Sequence, residues 1–556
     1  MIDYKTIKGI LRKRLWAIVF ITFIVMFNIP GYALANNLNS SDILLAWIIN
    51  LLVLFSFSSI SFFLKGIAEK CYLIFLFIFT LIPNLTVFSY LCVARTHMFD
   101  DMFWVIFGSN LSETNEYFDG AVSIPVLLGQ VAYVVVTTFL LYKSLASSPS
   151  SAFLNLKRKQ NQLLLLISLL IPLSMIPFEN LSKVMSSIDF YKSGIHYLDE
   201  SRDMQLEAKA RKSTSMDISC NLTSDNNTFV VIIGESLSRN HMQIYGYSRP
   251  TTPILNSMKN ELYIYKDVVS PGTHTIGVLK QALTFADHEH PEYYLQKPSI
   301  VDLFRDSGFK TYWISTQPLI NKWGSSYGII AKESDHVYDL SITKQHDEIV
   351  FPFVDEVLEE DTTGNKIIFI HLMGSHNMYK SRYPSEYKFF NQENYPIPDK
   401  PYLNGKKKKT IDEYDNSVLY SDFVVSSIIK KIQKQENQSS VVLFFSDHGE
   451  EVYDCRDVVG HFVHGASVYQ CEVPFILWCS DQYLAQKQNI TIRENRPFST
   501  ANLIFSLSDL AGLQYRDFLP QKSLFNKNFK PQKRIVEDKM YEEIVRKTNA
   551  WKKKKQ

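Results

Sequence analysis

Two short segments, far apart in the chain, end in side chains of the kind that hold a divalent cation. Phe229-Val-Val-Ile-Ile-Gly-Glu-Ser236 is an apolar run that stops at Glu235. Val441-Val-Leu-Phe-Phe-Ser-Asp-His-Gly-Glu450 has the same design and stops at Asp447 and His448. Carboxylate oxygens and an imidazole nitrogen are donors that zinc accepts. A cation there calls for a nucleophile, and Ser270-Pro-Gly-Thr-His-Thr-Ile-Gly277 offers two hydroxyls, Thr273 and Thr275. Both precede a helix-like run over 276–285. A helix amino terminus presents free N–H groups and the positive end of its dipole, which favour a bound phosphoryl group. A metal-bound hydroxyl also loses its proton more readily. The same threonines would serve equally as helix caps.

Histidines are the second chemical signal. His371 and His376 flank the turn His371-Leu-Met-Gly-Ser-His376, and His464 lies in Gly460-His-Phe-Val-His-Gly465. They could hold a second metal, neutralise phosphate oxygens or donate a proton to a leaving group. His288 and His290 fall in an acidic loop, and His336 and His346 have no supporting context.

These side chains meet only if the backbone brings them together. Apolar runs bounded by polar turns read as strands buried on both faces of a parallel sheet. Ligands of open α/β sheets gather at the carboxyl ends of such strands. Strands are expected over 229–233, 311–314, 366–371, 441–446 and 473–478, with helices over 276–285, 299–306 and 415–433. That alternation predicts a mostly parallel sheet with helices on both faces.

The sheet accounts for only part of a 556-residue chain, a length that argues for more than one domain. Five stretches, 15–34, 43–64, 72–93, 124–142 and 162–178, are apolar enough to span a bilayer. Lys5, Lys8, Arg12, Lys13 and Arg14 precede the first; Lys65 and Lys70 follow the second; Lys143, Lys157, Arg158 and Lys159 follow the fourth. The alternate loops are poor in basic residues: 36–42 has none, and Arg95 stands alone against Asp100, Asp101, Glu113 and Glu116. Basic loops stay inside, so the amino terminus is expected inside and everything after the fifth span outside. No span carries a charged residue at its centre, which argues against a transporter.

Cys220, Cys455, Cys471 and Cys479 fall in the exported half, where disulfides form. Cys455 with Cys471 is the expected pair, stapling the loop after the Asp-His tip. The net charge of +2 gives no argument for nucleic acid. The lysine runs 406–409 and 552–555 are solvated segments or contacts to an anionic lipid surface.

Together with the five spans, Ile233-Gly-Glu-Ser236, Arg239-Asn-His241, Tyr245-Gly-Tyr-Ser-Arg-Pro-Thr-Thr-Pro253 and Ser446-Asp-His-Gly-Glu450 resemble the phosphoethanolamine transferases of Gram-negative bacteria. That family belongs to the alkaline phosphatase/sulfatase superfamily, and the resemblance covers nearly the whole chain. It implies a five-helix transmembrane domain over 1–178, a juxtamembrane connector over 179–227, and an alkaline-phosphatase-like α/β domain over 228–556 in the periplasm. The location implied is the bacterial inner membrane, as a multi-pass monomer. The ligands carried over are Glu235, Thr275, Asp447 and His448 around one tightly bound zinc ion, with a second left open. Thr275 aligns with the second threonine of the Cys-Gly-Thr-x-Thr pattern in the lipid A branch. Pro271 stands where that pattern has cysteine, so one family disulfide is absent. His371, His376 and His464 match phosphate-pocket histidines by their surroundings.

Gln281-Ala-Leu-Thr-Phe-Ala-Asp287 is closer to the lipopolysaccharide-core heptose branch than to the lipid A branch. The loop Asn110-Leu-Ser-Glu-Thr-Asn-Glu116 is similar to a membrane-edge loop tied to donor binding, which points to Asn110 and Thr114. Phe118 stands where a glutamate often follows the threonine. The implied reaction has two steps: Thr275 takes phosphoethanolamine from phosphatidylethanolamine, and a phosphate or hydroxyl of lipopolysaccharide then receives it. Adding an amine lowers the negative charge of the envelope and weakens its attraction for cationic peptides. The rivals are a glycerol-phosphate transferase or polymerase of the lipoteichoic-acid type and a catalytically inactive envelope scaffold. A sulfatase would need a C/S-x-P-x-R motif, and none stands near Gly272.

Overall fold

Strand β1, Asn227–Gly234, is buried along its whole length, and its side chains alternate between two cores. Phe229, Val231 and Ile233 face one; Val230 and Ile232 face the other. This is the period-2 geometry of a strand covered on both sides. The computed structural model describes residues 4–28, 40–94, 103, 124–147, 159–175, 186–211, 216–222, 226–319, 326–343, 345–360, 364–435, 438–461, 465–486 and 490–553. The chain divides into two compact units, Met1–Glu200 and Ser201–Gln556.

In the second unit, β1 is the centre of a seven-stranded sheet. Its other members are β2 (Tyr263–Ile264), β3 (Lys310–Ser315), β4 (His336–Asp339), β5 (Lys366–His371), β6 (Ser439–Ser446) and β7 (Phe475–Cys479). The spatial order is β2-β7-β6-β1-β5-β3-β4. β6, β1, β5, β3 and β4 are parallel, whereas β7 pairs antiparallel with both β6 and β2. The sheet is therefore mixed, with one reversed strand, β7, next to the edge strand β2.

Helices α7 (Thr275–Ala282), α8 (Ile300–Asp306) and α11 (Leu503–Leu510) pack on the Phe229 face. Helices α9 (Val350–Glu359) and α10 (Gly405–Gln433) pack on the Val230 face. α8 opens on a capping box, in which Ser299 accepts from the Asp302 N–H and Asp302 reaches back to the Ser299 N–H. α10 is capped by Asn404, whose side chain accepts from the Lys407 N–H.

The first unit is helical: α1 (Tyr4–Met26), α2 (Ser40–Phe63), α3 (Gly66–Ala94), α4 (Ile124–Ala146) and α5 (Lys159–Met175), followed by α6 (Ser186–Ala210). The division between the units falls within α6, inside the segment expected as a connector. Among the described residues, two helices, Gly66–Ser89 and Ile124–Ala146, are long and apolar enough to cross a membrane. The apolar parts of α1 and α2, Arg14–Met26 and Trp47–Phe63, are shorter. Large apolar side chains of this unit, among them Ile67, Ile82, Leu128 and Val135, are exposed, while polar side chains lie inside beside an apolar cluster around Phe20, Ile21 and Leu73. Arg14 pairs with Glu69 at 2.6 Å, and Asn28 donates to Asn84, which donates to the Tyr133 hydroxyl.

Candidate active site

Register places the chemistry. Ile233 of β1 pairs with His371 of β5, and Gly234 pairs with Ser446 of β6. Glu235 follows β1 immediately, and Asp447 and His448 follow β6, so two neighbouring strands deliver them to one edge, with His371 at the end of β5 beside them. The chain turns at Ser236, with φ +54, a conformation L side chains rarely adopt. The turn is braced by the Tyr414 hydroxyl, which donates to Ser236 O at 2.8 Å and accepts from the Ser238 N–H at 3.0 Å.

Glu235, Asp447 and His448 are fully buried, and one ligand atom from each lies within 4.8 Å of the others. His448 Nε2 stands 3.4 Å from Glu235 Oε1 and 3.4 Å from Asp447 Oδ2. His448 Nδ1 is 2.9 Å from Gly449 O, which makes Nδ1 the donor and leaves Nε2 to face the carboxylates. Thr275 begins α7, and its hydroxyl donates to Glu235 Oε2 at 3.1 Å. The Gln317 amide donates to the same oxygen at 3.2 Å.

Burial alone would raise the Glu235 carboxyl, but the adjacent His448 imidazole, 3.4 Å away, holds it below the usual range. Burial, then the neighbouring Glu235 charge, push Asp447 up. Burial opposes the His448 cation, yet Asp447 and Glu235 outweigh it and push the imidazole up to about 10. Two buried carboxylates thus share one positive partner. Asp447 Oδ2 and His448 Nε2 have no hydrogen-bond partner. Orphaned polar atoms of this kind, in an oxygen and nitrogen donor set, fit a zinc ion.

The expected histidines differ in placement. His371 ends β5 fully buried, with neither ring nitrogen hydrogen-bonded, and burial lowers it to about 4. Burial, with the nearby charges of Arg382 and His461, lowers His376 to about 3, and its Nδ1 is unpaired. Both are neutral at pH 7. His464 lies outside the described residues, as do Asn110 and Thr114. In the same run, His461 stands beside the site: its ring is 4.4 Å from that of His448 and 4.9 Å from that of His274. Glu450 accepts from His461 Nδ1 at 2.7 Å, and His448, Glu450 and His461 form a second group able to hold an ion. The sequence offers His461 and His464 three residues apart, with nothing to favour the first.

The motif residues outside the metal set build a support. His241 lies between Asp415 of α10 (2.7 Å) and Asp454 (3.0 Å), and Arg249 bonds Asp412 and Asp415 at 2.7 Å each. The expected Cys455–Cys471 disulfide is not formed; both are free thiols, as are Cys71, Cys220 and Cys479. The Cys455 thiol bonds a Glu451 carboxylate oxygen, and that of Cys471 turns back to Ser467 O, so each is satisfied locally.

The sulfatase family pattern matches residues 227–513. The chain is 35% identical to phosphoethanolamine transferase EptC of Escherichia coli (strain K12) over 320 residues, 56% of this chain and 55% of that protein. The chain thus spans about half the length of the curated relatives it matches. It is similar to the crystal structure of the C-terminal periplasmic domain of EptC from Escherichia coli in complex with Zn: TM-score 0.55, 33% identity, covering 58% of this chain and 93% of that one. The fold of the integral membrane protein EptA, a lipooligosaccharide phosphoethanolamine transferase from Neisseria meningitidis, covers 91% of this chain and 98% of that one, with TM-score 0.63 and 16% identity.

Proposed function

The chain belongs to the sulfatase family, and from that premise we propose that it transfers phosphoethanolamine from phosphatidylethanolamine to lipopolysaccharide through a covalent intermediate on Thr275. One observation carries the reading: the Thr275 hydroxyl meets Glu235 at 3.1 Å, beside Asp447 and His448, at the first residue of a helix. The naming of the Escherichia coli relative supports the group transferred.

Residues 1–178 are the five-span membrane domain in this reading, 179–227 the connector, and 228–556 the catalytic domain in the periplasm. The exposed apolar and buried polar side chains of the helical unit support it, since lipid accepts apolar residues outside and helices can hydrogen-bond polar ones inside. A membrane half suits a reaction whose donor and acceptor are both lipids. Asn110 and Thr114 contact the donor, and the acceptor group is a core heptose phosphate or lipid A. The protein acts as a monomer in the inner membrane.

Glu235, Thr275, Asp447 and His448 would hold zinc, whose charge acidifies a hydroxyl and offsets charge on phosphoryl oxygens. The chain does the rest. Glu235 orients the Thr275 hydroxyl by accepting its proton in a hydrogen bond. Thr275 Oγ1 bonds to phosphorus, its proton passing to Glu235, as the bond to the diacylglycerol oxygen breaks. The first intrahelical bond runs from Val278 N to His274 O, so the N–H groups of Thr275, Ile276 and Gly277 are free for phosphoryl oxygens. His371 and His376, kept neutral by burial, offer N–H donors rather than charge. His464 completes the set and protonates the leaving oxygen. In the second step an acceptor oxygen bonds to phosphorus as His464 takes its proton, the bond to Thr275 breaks, and the threonine regains its proton from Glu235.

The test is full-length protein incubated with phosphatidylethanolamine and no acceptor, followed by mass spectrometry of tryptic peptide 267–280. A phosphoethanolamine adduct on Thr275, absent in Thr275→Ala, is expected. A glycerol-phosphate adduct from phosphatidylglycerol would move the assignment to the lipoteichoic-acid type, and no adduct from either lipid would overturn it.

A further inference from the structure

The loop carrying both threonines is gripped by a segment beyond the sulfatase family match over residues 227–513. Ile535–Val536 and Lys539–Met540 form a hairpin that runs into the C-terminal helix α12, Tyr541–Lys553. Glu537, in its turn, has φ +56. Its N–H donates to Pro271 O at 3.0 Å. Its carboxylate oxygen Oε1 accepts from the Thr273 N–H at 2.7 Å and from the Thr273 hydroxyl at 3.1 Å. The approach is close: a Cβ on Gly272 would lie 2.9 Å from that oxygen.

The hairpin has a firm base. Val536, Tyr541 and Ile544 pack with Val269, Val468 and Cys471. The Tyr541 hydroxyl bonds Glu472, and Arg534 pairs with Asp267. A non-glycine residue at positive φ persists only where its surroundings over-determine it, and such positions cluster at functional sites.

We propose that Glu537 is the positioning residue of the nucleophile, fixing Thr273 so that the hydroxyl two residues on meets Glu235. This rests on the transfer reading above. Thr273 is fully buried; its N–H donates to Glu537, its hydroxyl lies 3.1 Å from both Glu537 Oε1 and His274 Nδ1, and the chain runs from that anchor into α7. Thr275 is then the hydroxyl left to react. A displacement of about 1 Å at a reacting atom costs roughly 100-fold in rate, so an acceptor that never touches substrate governs the first step.

Two variants of Glu537 separate the hydrogen bonds from packing. Glu537→Met keeps the side chain's length but has no strong acceptor; Glu537→Gln keeps one. With full-length, zinc-loaded protein and phosphatidylethanolamine, Met is expected to slow adduct formation on Thr275 about 100-fold with KM for the lipid unchanged, and Gln about 10-fold or less. Equal rates for Met and Gln, or a wild-type rate for Met, would overturn the proposal. A wild-type protein that forms no adduct sinks the transfer reading instead. Hydrogen exchange at the Thr273 amide still decides the clamp in that case: faster exchange by about 10-fold or more in Met supports it, and unchanged protection overturns it.

Discussion

His241 Nδ1 lies 2.7 Å from an Asp415 carboxylate oxygen, with both side chains shut off from solvent. The other Asp415 oxygen takes Arg249 at 2.7 Å and the Tyr247 hydroxyl at 3.0 Å, while His241 Nε2 reaches Asp454 at 3.0 Å. One carboxylate of α10 therefore ties the 239–253 segment, and His241 extends the tie to the loop that follows the Asp-His tip. These motif residues hold the wall of the site and stand outside the Glu235, Asp447 and His448 group.

The charge on His241 is a stability device with a pH window. Burial opposes the imidazolium, but Asp454 and Asp415 outweigh it and push its pKa up to about 10. The unfolded value is about 6.5. A raised folded pKa stabilises fully below the unfolded value and loses that stabilisation as pH rises through the folded one. His241→Gln is expected to cost about 3 kcal/mol at pH 6, since removing one partner strands buried carboxylates. The gap in melting temperature between wild type and variant should narrow steadily from pH 7 to pH 10. A constant gap would mean that His241 is neutral in the fold.

Ion removal should be visible without any substrate. Asp447 Oδ2 and His448 Nε2 are buried without partners, so chelation leaves unfavourable polar atoms inside the protein. At a free ion concentration near a thousand times Kd, binding adds about 4 kcal/mol of stability. Chelator should lower the melting temperature of wild type by several degrees and leave Asp447→Asn unmoved. A wild type indifferent to chelator would rule out a tightly held ion at these residues.

Tyr414 tests the turn that carries Glu235. Its hydroxyl is the acceptor for the Ser238 N–H and a donor to Ser236 O. In Tyr414→Phe a buried N–H loses its acceptor, a cost of about 1–3 kcal/mol. The positive φ at Ser236 loses a brace at the same time. The expected result is a lower melting temperature together with weaker zinc retention during dialysis. Loss of stability with undiminished zinc affinity would limit Tyr414 to packing.

What the sequence discloses follows from what forces a pattern. β1 and β6 are buried on both faces, so they need unbroken apolar runs, and the runs show. β2 is two residues long and β4 is mostly exposed, so neither leaves a signal. The run of β7 is visible, but nothing in an apolar run says that it lies antiparallel. That Thr273 bonds Glu537, far along the chain, while Thr275 meets Glu235 is closed to spacing. Cys455 and Cys471 look pairable by compartment and loop length, yet each thiol is satisfied by its own neighbourhood.

Gly449 joins the metal set to the segment behind it. Its N–H donates to Gln470 O at 2.9 Å, and its carbonyl oxygen holds His448 Nδ1 at 2.9 Å. A Cβ built there would lie 2.2 Å from Tyr469 O, a backbone atom that cannot swing aside. Gly449→Ala must therefore push two backbone segments apart, and the carbonyl that orients His448 moves with them. Overpacking of this kind costs about 1–3 kcal/mol. The loss should appear first as zinc, because a misdirected imidazole typically weakens metal affinity by about 10–100-fold. Gly405→Ala is the control, since a Cβ there meets nothing within 4 Å and α10 begins at that residue. It should keep wild-type zinc content and melt no lower than wild type. Equal zinc content in the two variants would show that Gly449 has no part in aiming His448.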